Sequence, residues 1–323
     1  MKVCLQIIVA LYLACILISC KQDVVNPIGD LREKSGVEVV VLGTVQDAGS
    51  PQIGCMKSCC IHLWEKPDPT RKVVSLGIID YDAEKTYMIE ASPDFKDQLY
   101  ALNAAAGLDR NRLPDGIFLT HAHIGHYTGL MHLGREEMGA RGVPVYTMPR
   151  MRYFLSNNGP WSQLVDLGNI KLKKMRDSTN ILLSQGLAIM PFTVPHRGEY
   201  SETCGFIIKG SERNVAFIPD IDKWDLWDFP IEDLVASVDI AYLDATFFNG
   251  EELPGRNISE VPHPFVVESM AIFDERLDLK SKINFTHFNH TNPLLNKQSD
   301  QYKTIIDKGY NVAQYLSTVD ISG

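Results

Sequence analysis

The feature that most restricts how this chain can fold is a recurrence: short apolar, β-rich runs that stop at a residue able to hold a metal. Ile117-Phe118-Leu119 leads into Thr120-His121, Phe192-Thr193-Val194 into Pro195-His196, Phe217-Ile218-Pro219 into Asp220, and Ile283 to Thr286 into His287. Strand ends converge on one edge of a sheet, so ligands far apart in sequence can meet there. The densest element is Thr120-His121-Ala122-His123-Ile124-Gly125-His126. Residues two apart in an extended segment point the same way, so His121 and His123 can share one ion. His126, after Gly125, opens a helix and can face a second ion.

Around these runs, Val37 to Leu42, Val73 to Ile79, Thr86 to Ile89, Val143 to Tyr146, Leu187 to Val194, Phe206 to Ile208, Val215 to Ile218 and Ile240 to Leu243 read as strands. Phe95, Leu99, Leu102 and Ala106 recur at helical spacing before Gly107; Ser259 to Asp274, entered after Pro264, and Ser299 to Asp307 read as further helices. Interleaved strands and helices with no repeat of fixed period imply an α/β or α+β class with a layered sheet. The net charge of -9 is spread through the chain, and the longest basic cluster is Lys171, Lys173, Lys174 and Arg176. Neutralising several phosphates needs a basic surface, so no nucleic-acid partner is expected; a small-molecule substrate is.

Residues 1–20 stand apart: Lys2 precedes an almost uncharged apolar run from Val3 to Ile18, which reads as a secretory signal. Its end, Leu17-Ile18-Ser19-Cys20, resembles a bacterial lipobox, which implies lipidation of Cys20, a chain anchored to a membrane of the cell envelope, and a polar tether over 21–36. An uncleaved signal anchor is the alternative, and Cys15 is a weaker cleavage point. The domain proper then spans 37–323 and keeps Cys55, Cys59, Cys60 and Cys204. Three of these fall within six residues, which suits a metal better than a disulfide framework.

The segment Thr120 to Leu130, THAHIGHYTGL, resembles the His-x-His-x-Asp-His signature of the metallo-β-lactamase superfamily, and His196, Asp220 and His287 fall where its later motifs lie. The resemblance implies an α+β protein, an αβ/βα four-layer sandwich with metals at one edge. His121, His123 and His196 would bind a first zinc, Asp220 would bridge, and His126 and His287 would complete a second site. One departure matters: the aspartate of the signature is Gly125 here, which leaves one or two catalytic ions open. Asp47 could supply the missing carboxylate, but beside Ala48-Gly49 it reads better as an ordinary turn residue. Gly43 to Cys55 and Phe285 to Pro293 resemble segments of the pyrroloquinoline quinone (PQQ) biosynthesis protein B group. In that group a Cys-x-Cys-x-x-Cys cluster holds structural zinc; here Cys55, Cys59 and Cys60 stand in its place, with His62 or His290 as fourth ligand, against free thiols or one disulfide.

His263, in Val261-Pro262-His263-Pro264, resembles a histidine that assists catalysis in related phosphodiesterases, with loop packing as the alternative. Asp244, ending its strand, suits a carboxylate that orients a ligand imidazole. Cys204 and His132 read as structural, and Trp161, Trp224 and Trp227 suit core packing better than a substrate mouth. Zinc lowers the pKa of bound water from about 16 to about 7, so the expected chemistry is hydrolysis of an ester, amide, lactone or phosphodiester by metal-bound hydroxide, with Asp220 orienting it. The alternatives are a metal-dependent redox step in quinone-cofactor biosynthesis, for which iron replaces zinc, and a non-catalytic surface binding module.

Overall fold

The computed structural model describes residues 34–323, of which Ser35–Gly323 form one compact unit. The expected signal, its lipidation site Cys20 and most of the tether lie outside the described residues. Among the described residues no helix is long and apolar enough to cross a membrane.

Among the described residues, fourteen strands build two sheets. They are β1 (Val37–Gly43), β2 (Ser75–Asp80), β3 (Lys85–Ile89), β4 (Gly116–Phe118), β5 (Val143–Thr147), β6 (Ile170–Lys174), β7 (Ile181–Ser184), β8 (Leu187–Val194), β9 (Thr203–Lys209), β10 (Asn214–Ile218), β11 (Ile240–Asp244), β12 (Ile283–Thr286), β13 (Asn311–Val312) and β14 (Thr318–Asp320). One sheet has the order β14-β1-β2-β3-β4-β5-β6 and the other β13-β12-β11-β10-β9-β8-β7. In the first, β14 through β3 pair antiparallel and β3 through β6 parallel. The second has the same plan, antiparallel from β7 to β10 and parallel from β10 to β13.

Core packing shows the layers. Val39, Leu76, Ile78 and Phe118 of the first sheet and Ile189, Phe206, Ile208 and Phe217 of the second share one buried cluster, so the sheets pack face to face. The outer face of the first sheet is covered by the helices Phe95–Ala105, Pro149–Asn157 and Trp161–Asp166, which bring Phe95, Leu102, Phe154 and Leu164 onto Val40, Ile117 and Val145. Ile231–Ser237, Val266–Ile272 and Asp300–Asp307 cover the second sheet in the same way. This is the α+β four-layer sandwich. Strands buried on both faces explain why β2 and β10 read as continuous apolar runs instead of alternating ones.

Two readings shift. The helix expected over Ser259–Asp274 is only Val266–Ile272, preceded by a single 3-10 turn at Ile258–Glu260; Pro262 and Pro264 remove backbone donors, and His263 between them has a positive φ of 74°, so no helix runs through the segment. The basic run after Ile170 is the edge strand β6, with Ile170 and Leu172 inward and Lys171 outward, where charge discourages pairing with another chain. At the end of β1 a Cβ on Gly43 would stand 1.9 Å from the Val73 carbonyl, so only glycine lets the two segments approach there.

Candidate metal centre

The carboxyl ends of β3, β4, β8, β10, β11 and β12 deliver Glu90, His121, His196, Asp220, Asp244 and His287 to one edge of the sandwich. Within each sheet these strands run the same way, β3 with β4, and β8 with β10, β11 and β12 across the antiparallel β9, and the face-to-face packing of the sheets brings the two sets of ends together. The structure brings together three overlapping sets of ligand atoms, each within 4.8 Å of one another: His121, His123, His196 and Asp220; Asp47, His126, Asp220 and His287; and Asp220, Asp244, His263 and His287. Asp220 belongs to all three. Its Oδ2 lies 3.2 Å from His121 Nε2, 3.2 Å from His196 Nε2, 3.7 Å from His123 Nδ1 and 3.7 Å from His126 Nε2.

Hydrogen bonds on the far side of each ring fix which nitrogen carries a proton. Thr120 Oγ1 donates to Glu90 Oε1, so its lone pair receives the His121 Nδ1 proton at 2.8 Å and His121 Nε2 is left with a lone pair. His126 Nδ1 donates to the same Glu90 oxygen at 3.1 Å, and His196 Nδ1 to Asp222 Oδ1 at 2.9 Å. Thr246 Oγ1 donates to Asp244 Oδ1 and receives His287 Nδ1 at 2.8 Å. His123 is reversed: Nε2 donates to Glu199 Oε2 at 3.2 Å, which turns Nδ1 inward. In its neutral form each of the five imidazoles would therefore turn its lone-pair nitrogen to the interior of the cluster.

That interior suits a cation. Buried His121 Nε2 and Asp220 Oδ1 have no hydrogen-bond partner in this geometry, although each has a charged neighbour. The one proton on His263 Nδ1 goes to Asp244 Oδ2 at 2.8 Å, so Asp220 Oδ1, 3.2 Å away, gets none. Buried unpaired polar atoms are costly, and a divalent ion bound by imidazole and carboxylate is the partner this donor set fits.

Charge tells the same story. Burial pushes His121 down to about 3, helped by the neighbouring His126. Burial also opposes charge on His287 and His263, but Asp244 and Asp47 lift the first to about 9, and Asp244 and Asp220 lift the second to about 10. Burial raises Asp220, yet His196 and His263 hold it well below the usual carboxylate range. Without an ion, protons on imidazoles balance the buried carboxylates. Strain collects here too: of the six non-glycine residues with positive φ among the described residues, Glu90 (81°), His263 (74°) and His287 (63°) belong to this centre.

Asp47 is the main correction. The reading as an ordinary turn residue fails because its Oδ1 lies 3.0 Å from His126 Nε2 and 3.3 Å from His287 Nε2. His263 faces Asp220 and Asp244 and is not merely packed in its loop. Glu90, Asp222, Thr246 and Glu199 escaped sequence reasoning; the one hint was that Glu90 ends an apolar strand, as the ligands do.

Nearby, Cys55, Cys59, Cys60 and His290 bring their ligand atoms within 4.8 Å of one another, with Sγ atoms of successive cysteines 3.9 Å apart. All three thiols are free, and His290, not His62, joins them. Burial, then the adjacent Cys60 and Cys55, push the Cys59 thiol up to about 12, a repulsion that a bound cation relieves. Cys204 is buried under Thr120, and His132 pairs with Glu137. Trp161 packs on Tyr127, Trp224 donates to Ser269 and Trp227 stacks on Phe192, away from the ligand sets. Glu199, which accepts from His123, also lines a cavity of about 410 Å³ with Arg150, Tyr153, Phe154 and Tyr200.

Two seven-stranded mixed sheets, helices on both outer faces and a histidine–aspartate cluster at the shared strand edge define a protein of the metallo-β-lactamase fold. Residues 85–289 match the family model described as the β-lactamase superfamily domain, and the chain belongs to that family. Coenzyme PQQ synthesis protein B of Xanthomonas oryzae pv. oryzae is 25% identical over 302 residues, covering 86% of this chain and 97% of that protein. The crystal structure of Zn(2+)-bound PqqB from Methylobacterium extorquens superposes with a TM-score of 0.71 at 22% identity, over 88% of this chain and 99% of that one. A diphosphatase of the PhnP family gives 0.60 at 23% identity, over 88% and 96%.

Proposed function

We propose that the chain is a metal-dependent hydrolase whose resident ion is zinc and whose substrate is a small ester, amide, lactone or phosphodiester. The observation that carries this is Asp220, one buried carboxylate facing two sets of imidazoles, with its Oδ1 and His121 Nε2 left unpaired in the absence of an ion. His121, His123, His196 and Asp220 would hold one ion, and His126, His287 and Asp220 belong to a second position. Zinc there supplies Lewis acidity and lowers the pKa of a water molecule to about 7.

The chain's own residues do the rest. Asp222, Glu90, Thr246 and Glu199 hold the five rings in the required tautomers. Asp220 orients the attacking water and accepts its proton at a carboxylate oxygen. His263, kept protonated at neutral pH by Asp244 and only partly buried, is the group placed to give a proton to the leaving group. Burial of His121, His126 and His287 excludes bulk water and strengthens each of these interactions.

Similarity to coenzyme PQQ synthesis protein B over most of the chain supports a second reading, a redox step in quinone-cofactor maturation. Metal analysis separates the two: zinc supports hydrolysis, iron the redox reading. On a panel of esters, lactones and phosphodiesters, turnover unaffected by His121→Ala would remove the hydrolase reading. The Leu17 to Cys20 sequence further supports lipid anchoring in a bacterial envelope. Processing that is insensitive to both globomycin and Cys20→Ala would refute it.

A further inference from the structure

The family resemblance expects a carboxylate at position 125, and the chain has glycine there. A Cβ built on Gly125 would stand 2.6 Å from each of Cα, Cβ and Cγ of Asp47. No real Cβ tolerates such contacts, so the space that a side chain at 125 would enter is already filled by Asp47. The Gly125 amide donates to Asp47 Oδ2 at 3.3 Å, while Asp47 Oδ1 faces His126 and His287.

The backbone that carries Asp47 is fixed. Val45 N donates to Lys72 O at 3.0 Å and Gln46 N to Phe288 O at 2.9 Å, and Phe288 N returns a bond to Thr44 O at 2.8 Å. Asp47 and His287 thus ride on two hydrogen-bonded segments, which sets the distance between them. A turn aspartate ordinarily caps its own turn. Here the turn is closed without it, by Gly49 N to Gln46 O and Ala48 N to Gln46 Oε1.

We infer that Asp47 and Gly125 are a compensating pair: Asp47 delivers from the loop after β1 the carboxylate that position 125 lacks, and so completes a second metal position with His126, His287 and Asp220. This rests on the metal-centre reading above. Two imidazoles and two carboxylates, one of them the shared Asp220, form a four-ligand set of the kind that holds a divalent ion.

The test is titration of the metal-stripped full-length protein with cobalt(II), read by calorimetric stoichiometry and by visible absorption. Thiolate charge transfer marks the cysteine cluster separately. The wild type is expected to take two ions outside that cluster. Asp47→Asn, nearly isosteric, is expected to weaken the second by at least about tenfold, with circular dichroism and the melting profile reporting that the fold persists. Gly125→Ala adds one inert methyl and is expected to do the same by displacing Asp47. Wild-type affinity for the second ion in both Asp47→Asn and Asp47→Ala, while His126→Ala loses it, overturns the inference and spares the metal centre. Stoichiometry unchanged in His121→Ala and His126→Ala removes the metal centre itself.

Discussion

At the scale of single residues, the centre is a problem of buried charge. Glu90, Asp220 and Asp244 are buried and Asp47 is half-buried beside the imidazoles, and positive charge must come from protons or from metal. The pH dependence follows. In the metal-free protein His287 titrates near 9, above an imidazole's ordinary 6.5, so its stabilisation is complete below about 6.5 and is lost as pH rises through 9. Asp244 has the opposite sign: lowered to about 2 from 3.8, its contribution is present above 3.8 and lost as pH falls through 2. Melting temperature in chelator should therefore fall as pH rises from about 6.5 to 9, whereas the metal-loaded protein should hold it; a flat chelator profile would contradict this. Metal uptake displaces those imidazolium protons, so affinity should rise with pH over the same window. Glu90 ties Thr120, and through it His121, to His126, and so reaches the first two ligand sets from one buried side chain. Glu90→Ala should cost about 10–100-fold in metal affinity while leaving every ligand in place, measured by competition with a chromophoric chelator.

At the scale of elements, two segments do double duty. The loop after β1 carries Asp47 to the metal centre and Cys55, Cys59 and Cys60 to the cysteine cluster, and the segment after β12 carries His287 to the first and His290 to the second. A metal on the thiolates would clamp both segments beside the centre. Cys59→Ser should lower the ion count per chain by one and abolish cobalt thiolate charge transfer; a wild-type protein that never shows that band would refute the thiolate site. The elements that the sequence shows well are those whose pattern is local. β8 and the helix Phe95–Ala105 follow from runs and spacings that any neighbour-to-neighbour reading detects. The short helices Pro149–Asn157, Trp161–Asp166 and Ile231–Ser237 and the edge strand β6 do not, because packing on the sheets, more than intrinsic propensity, stabilises them.

At the scale of the molecule, both sheets repeat one plan of three antiparallel followed by three parallel pairings, a duplication that leaves no periodic trace in sequence. The centre spans the halves: His121, His123 and His126 come from the first, and His196, Asp220, His263 and His287 from the second. Holding the sheets together is thus a condition for the site. Phe118, fully buried between them, stacks on Tyr146 at 4.3 Å and meets Phe206 edge-on at 5.9 Å. Phe118→Ala should destabilise by about 3–5 kcal/mol in denaturant unfolding and loosen metal binding with it. By itself the sequence determined the layered class and the strand-ending histidines and aspartates, since apolar runs and two-residue alternation are set by adjacent residues. Tertiary structure decided that Asp47 reaches the position beside Gly125, 78 residues away, that His290 and not His62 joins the cysteines, and which ring nitrogens turn inward. Those outcomes depend on distances between remote segments, and only the packing of the two sheets sets such distances.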